Sequence, residues 1–355
     1  MKIAKLWTTV LAIPLLFGCD QHKPAEPKQA AAGCWRLYAA NELSDDITVI
    51  DEPSHKVVGT VKVGKRPRGM AISGNTLYIA LSGWPIAGPA TDEDKLPAPD
   101  KSADGIGVFD TAQMKIVKVL HGVSNPEQLA ISPDGSMVYS PDEDAAVVPF
   151  IGTDGSDHGA VKVAPEPEGV AISPDGKQLY VTSEGGGTVT IIDTASQKVV
   201  KSFSAGDRPR SVTFSPDGSH AYVSSELGGQ LIAIDTATQS MIAKTPIAGV
   251  DPKPMGLAVT ADGKAVFVST GRGGTLVRVG QDGSQKAIPV GARPWGIALS
   301  PDGKLVYTAN GQSNDLTIVA SGDMKEVGRI KSGGRPWGVK IGPAPPGAAC
   351  KTASS

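Results

Sequence analysis

Short runs in which apolar and polar residues alternate recur along most of the chain, and they recur in phase. One stretch displays the unit. After Pro167, "GVAIS" (169–173) alternates as a strand, "PDGK" reads as a turn, "QLYVTS" (178–183) as a second strand and "EGGG" as a loop. "TVTIID" (188–193) follows as a third strand, "TASQ" as a turn and "KVVKSFSAG" (198–206) as a fourth. The steadiest landmark of the repeat is a Pro followed two positions on, in most copies, by Gly. It falls at Pro67, Pro126, Pro167, Pro209, Pro254, Pro294 and Pro336, with gaps of 59, 41, 42, 45, 40 and 42 residues. Eight residues after five of these prolines comes an Asp-Gly step, at Asp134, Asp175, Asp217, Asp262 and Asp302. Gly there accepts the positive φ that a tight turn demands. Four strands in a period near 42 residues is the arithmetic of a propeller blade, and a four-stranded sheet buries both faces only when stacked against neighbours.

Seven landmarks predict an all-β fold, a seven-bladed β-propeller. The ends predict how the ring closes. Before Pro67, "WRLYAANELSDDITVIDEPSHKVVGTVKVG" supplies the second, third and fourth strands of a blade without its first, and "RPWGVKIG" at the other end supplies a first strand alone. One blade made from both termini closes the ring and removes the free edges. Aligning Tyr38 with Tyr307 sets Cys34 opposite Gly303, in the turn that the split blade lacks, and Cys350 trails the last strand by a short Pro/Gly linker. A Cys34–Cys350 disulfide would replace that turn; two free thiols are the competing reading.

Composition agrees with this reading and removes one class of function. Hydrophobic residues are 40% of the chain and aromatics 5%, while 43 Gly and 28 Pro mark many turns. A formal charge of −2 leaves no basic field for nucleic acid. Lys2 and Lys5 precede an apolar run, residues 6–17, too short to span a membrane but suited to a secretion signal. It ends in "LLFGC", which looks like the lipobox of bacterial lipoproteins, with Cys19 as the lipidated first residue of the mature chain. A soluble periplasmic protein in which Cys19 is incidental is the rival. Asp20 resembles an inner-membrane retention signal. The expected organisation is a signal peptide over 1–18, a lipidated Cys and Pro/Ala-rich tether over 19–33, the propeller over 34–350 and a disordered tail over 351–355.

The strands "LYVTS" (179–183) and "VYTAN" (306–310) resemble those of YVTN-type seven-bladed propellers. The "RPR", "PEG" and "RPWG" steps, across residues 37–342, are similar to one branch, the propeller proteins associated with pyrroloquinoline-quinone-dependent catabolism. That resemblance implies a context, periplasmic quinoprotein oxidation with a quinoprotein or cytochrome partner, and no established catalytic residues. Three features depart from it: the lipobox, an insertion over 83–104, and "NPEQ" at Asn125 with Pro141 and Pro149 beyond it. A long insertion in a regular array sits on one face, where it either touches a ligand or is decorative.

Function in such a ring concentrates where the fourth-to-first and second-to-third connections surround the channel. The first kind brings Arg66, Asn125, Glu166, Arg208, Lys253, Arg293 and Arg335 before the landmark prolines, and Arg68, Glu127, Glu168, Arg210, Met255, Trp295 and Trp337 after them. The second brings Glu42, Glu143, Glu184 and Glu226 to one equivalent position. Arg66, Arg68, Arg208, Arg210, Arg293, Arg335, Trp295 and Trp337 are the expected ligand- or partner-binding set, because guanidinium forks pair with carboxylates and indoles stack. The same residues also suit a structural role, each Arg pinned to a neighbouring Glu while Trp295 and Trp337 seal the channel. Glu42, Glu143, Glu184 and Glu226 are the candidate ligands of a divalent cation such as Ca²⁺.

"GTDGSDHG" (152–159) and Asp51, Asp110, Asp193 and Asp235 after third strands read as turns and turn caps. The chain has no C-x-x-C-H haem site, no vicinal cysteines and no zinc-spaced His/Cys cluster. Two functions are carried forward. The leading expectation is a monomeric, lipid-anchored binding or accessory protein facing the periplasm from the inner membrane. The alternative is a lactonase-like hydrolase with a cation in its channel.

Overall fold

The computed structural model describes residues 34–86 and 95–348. Cys19, the lipobox, the tether and Cys350 lie outside the described residues. The described chain forms seven four-stranded antiparallel sheets arranged as the blades of a propeller. The blade parsed above is β12 (Pro167–Ile172), β13 (Gln178–Ser183), β14 (Thr188–Asp193) and β15 (Lys198–Ser204). Among the described residues no helix is long and apolar enough to cross a membrane.

The ring closes as its ends predict. β28 (Pro336–Pro343) pairs antiparallel with β1 (Trp35–Asn41), and β2 (Asp46–Asp51) and β3 (Lys56–Lys62) complete that first blade. The Ala344 amide donates to the Cys34 carbonyl at 2.7 Å, so the C-terminal segment runs alongside Cys34.

Alternation along each strand sends side chains to both faces, and each face packs on the next blade. Tyr38, Ile47 and Val49 of the first blade share a core with Met70, Leu77 and Phe109 of the second. On its other face, Leu37, Ile50 and Val339 pack with Tyr307 and Leu316 of the seventh. Turn chemistry fixes the inner hairpins. The Ser173 hydroxyl donates to Asp175 Oδ1 at 2.6 Å and accepts from the Gln178 amide at 2.9 Å, while Gly176 holds φ +75°. The same Ser/Thr-to-Asp contact recurs at Asp134, Asp217, Asp262 and Asp302. Asp110, Asp193 and Asp235 cap turns by accepting backbone amides, Asp51 accepts the Ser54 hydroxyl, and Asp154 caps the turn at Gly152.

The third blade is the least regular. Its inner strands, β8 (Ala130–Ile131) and β9 (Met137–Tyr139), are short, and β10 (Val147–Gly152) shifts register at Pro149, which lacks the amide a ladder uses. This is the blade that departs from the repeat around Asn125 and Pro141.

Candidate active site

The mouth is built from the residues before the landmark prolines, held in an unusual conformation. Arg66, Asn125, Glu166, Arg208, Arg293 and Arg335 all have positive φ, between 46° and 57°. Left-handed backbone is costly for a side-chain-bearing residue, and a following proline disfavours it further. Hydrogen bonds offset that cost: the carbonyls of Arg335, Glu166, Arg208 and Arg293 accept the amides of Glu42, Glu184, Glu226 and Gly311 at 2.8–3.0 Å. Each such bond joins the two mouth loops of one blade. The sixth blade differs, since the positive φ falls on Asp251 and not on Lys253.

These loops surround a cavity of about 1270 Å³. A second cavity, about 340 Å³, runs below it between the first strands. Glu168, Arg210, Met255 and Trp295 line both and form the throat between them. Charge in this region is mostly paired. Glu42 holds Arg66 at 2.8 Å and Arg335 at 3.0 Å. Glu184 holds Arg208 through two bonds, 2.8 and 2.9 Å, and also pairs with Arg210. Glu226 lies 3.5 Å from Arg208 and from Arg272. The Glu42–Arg66, Glu184–Arg208 and Glu226–Arg272 pairs link adjacent blades, the structural role that repeated residues at repeated positions suggest.

Arg68 corrects one expectation. The sequence pattern sets it with the ligand-binding residues, yet its side chain is 0% exposed and sits beneath the mouth. The reason is alternation: two residues after Arg66, the chain has entered the innermost strand. Arg68 pairs with Glu127 and donates to Asn125 Oδ1 and to the Pro126 carbonyl, both at 2.8 Å. Arg210 and Trp337 are also buried. Arg208, Arg293 and Trp295 line the upper cavity, as does Arg66.

Two groups are left for chemistry. The first is Glu143. The Asn125 carboxamide oxygen is taken by Arg68 and by the Ser82 hydroxyl, so its NH₂ faces Glu143 and donates to Oε2 at 2.5 Å. Burial, reinforced by Glu127 and Glu184, pushes the Glu143 carboxyl up to about 8. Next to it, Glu127 and Glu168 are driven apart. Burial raises both, but Arg68 and Arg210 together pull Glu127 below the usual carboxylate range, whereas Glu168 stays well above it.

The second is Arg293, which was in the expected set. Its guanidinium carbon sits 5.0 Å from the Trp295 ring centroid, and Trp295 packs edge-on against Trp337 at 5.2 Å. Among the described residues no carboxylate forms an ion pair with Arg293; burial and the like charges of Arg335 and Arg272 depress its affinity for a proton. An arginine held by stacking without a counter-ion is a ready receptor for an anion.

The candidate cation ligands do not fit a metal. Glu42, Glu184 and Glu226 each face guanidinium groups already. Among the described residues no group of three or more His, Cys, Asp or Glu is arranged to hold an ion. Sequence reading singled out Glu143 as a metal ligand and missed its orientation by Asn125; the "NPEQ" departure was the available signal. Arg272, in "GRGG", carried none, because it occupies no repeat position.

The family model described as "Lactonase, 7-bladed beta-propeller" matches residues 147–341, more than half of the chain. The chain belongs to that family. No curated protein matches it. Among solved structures, a periplasmic gluconolactonase of Pseudomonas aeruginosa is 21% identical with a TM-score of 0.69, covering 88% of this chain and 100% of that one. A putative 6-phosphogluconolactonase of Bacteroides fragilis is 17% identical, with a TM-score of 0.70 and coverage of 87% and 98%. Hydrazine synthase of Kuenenia stuttgartiensis is 23% identical, with a TM-score of 0.70 and coverage of 81% and 92%. At these identities the likeness is one of fold.

Proposed function

We propose that this chain is a lactone hydrolase that works without a resident cation, with Glu143 as its proton-transfer group and Arg293 as the anchor for an anionic substituent of the substrate. The observation that carries this is one cavity holding both a carboxyl that titrates near neutral pH and an arginine without a counter-ion. Family membership supports the reaction class, and this reading takes precedence over the accessory protein that the quinone-associated resemblance suggests.

Ionised Glu143 accepts a proton from a water molecule as the water oxygen attacks the lactone carbonyl carbon. The ring C–O bond then breaks, and the carboxyl of Glu143 returns the proton to the departing ring oxygen. One lactone and one water give one hydroxy acid, which releases its proton at neutral pH. Asn125 fixes the Glu143 carboxyl, and Arg68 fixes Asn125.

The finer context is also proposed: lipid attachment at Cys19, a periplasmic position at the inner membrane, a Cys34–Cys350 disulfide, a monomer, and work beside a quinoprotein. The position of the C-terminal segment beside Cys34 supports the disulfide. The half-buried Arg/Trp arc of Arg293 and Trp295 would equally serve a binding protein, so turnover decides. Titrating acid release from a panel of five- and six-membered lactones should reveal catalysis that survives EDTA and falls at least 100-fold in Glu143→Gln. Absence of turnover across the panel, or loss of it in EDTA, would refute the proposal.

A further inference from the structure

The described residues of the insertion line one wall of the upper cavity, and those that face it are apolar. Trp84, Pro85, Leu96, Pro97, Ala98 and Pro99 face the space. Three of the six are prolines, which present no N–H to a hydroxyl-rich ligand. Polar groups brought against the proline rings lose water and find no backbone N–H there.

The wall is held in place from both ends. The Asp100 amide donates to the Gly83 carbonyl at 3.0 Å, and the Gly83 amide donates to Asp104 at 2.7 Å. Lys65 reaches Asp100 at 2.6 Å, and Lys101 reaches Asp144 of the third blade at 2.8 Å. These contacts tie it to two blades.

Its position in the ring decides what it faces. The insertion belongs to the second blade, while Arg293, which forms no ion pair among the described residues, belongs to the seventh, two blades away. The cavity, of about 1270 Å³, therefore has an apolar wall and, two blades from it, an arginine available to an anion. That volume is at or above the upper end of small-ligand pockets, about 300–1,000 Å³, so a compact sugar ring would leave much of it empty.

We propose that residues 84–85 and 96–99 are the specificity wall of this cavity, and that the ligand they select carries an apolar, aromatic-sized group at the end away from its anionic group. On the hydrolase reading above, from which the lactone ring of that ligand is taken, the substrate is an amphipathic lactone. An indole and proline rings offer flat apolar surface to an aromatic group, while Arg293 takes the anion.

Binding without turnover tests the wall separately from the hydrolase. Calorimetric titration of the intact protein with 2-naphthoate and with gluconate compares two monoanions that differ in apolar surface. Naphthoate should bind at least tenfold more tightly. Leu96→Gln, and Ala98→Gln at an exposed position where folding is not at stake, should weaken naphthoate about three- to tenfold and leave gluconate unchanged. Equal affinity for the two anions, or equal weakening of both in the variants, would overturn the proposal. A protein that prefers naphthoate yet hydrolyses no lactone would keep the wall and lose the hydrolase.

Discussion

Arg68 and Arg293 occupy the same kind of tripeptide, and the structure gives them opposite roles. Arg68 is enclosed and pairs with Glu127, so removing it leaves a buried carboxylate uncompensated. Arg68→Met should cost about 3–5 kcal/mol of unfolding free energy, read from urea denaturation. Arg293 has no ion-pair partner among the described residues, so Arg293→Ala should shift the same midpoint little while weakening any anionic ligand at least tenfold. The reverse pattern would mean that the arginine roles have been exchanged. The sequence announces that "RPR" is special without showing which arginine faces the cavity. That depends on where the chain enters the innermost strand, and at Arg68 the strand has already turned the side chain inward. Glu143 was visible as a repeated glutamate, but its raised affinity for a proton comes from burial and from the charges of Glu127 in its own blade and Glu184 in the next, which no local spacing encodes.

At the level of strands and turns the sequence was almost fully legible, because the determinants are local. The Asp-Gly steps lie where the inner hairpins turn, and alternation gives β13 and β14 with the bounds read from the residues. One repeated feature acquires its reason only in three dimensions. The Gly two positions after the landmark Pro meets the neighbouring blade's backbone: a Cβ on Gly296 would lie 2.7 Å from the Trp337 carbonyl and 2.9 Å from the Val339 amide nitrogen. Backbone of that neighbouring strand cannot yield as a side chain would, so Gly296→Ala should destabilise by about 1–3 kcal/mol. Gly322→Ala, with nothing within 4 Å of the new methyl, should be close to neutral; equal effects on the denaturation midpoint would contradict this packing. Where the repeat abandons that glycine, at Gln128 and Ser211, the two side chains meet at 3.1 Å across the intervening blade. The insertion was legible as an insertion and not as a wall, since its direction is fixed by Asp100, Lys65 and Lys101 contacts far apart in sequence.

The whole molecule is a closed ring, and closure is what brings chemistry from separate blades to one place. Seven copies of a packing unit supply seven loop positions before the landmark prolines, and three of them, Arg66, Arg208 and Arg335, are spent on arginine–glutamate pairs. The irregular third blade contributes the exception, Glu143, and the seventh contributes Arg293. The central claim is that Glu143 acts as a base in lactone hydrolysis, and its sign follows from its displacement. A carboxyl raised to about 8 is mostly protonated at pH 6 and ionises as pH rises through its folded value. The most direct test is kcat/KM for a lactone from pH 5 to 9.5, corrected for spontaneous hydrolysis. The account predicts a rise of about tenfold per pH unit below a bend near 8, with the pH-dependent limb absent in Glu143→Gln. A flat or falling profile, or a limb that persists in the variant, would contradict it.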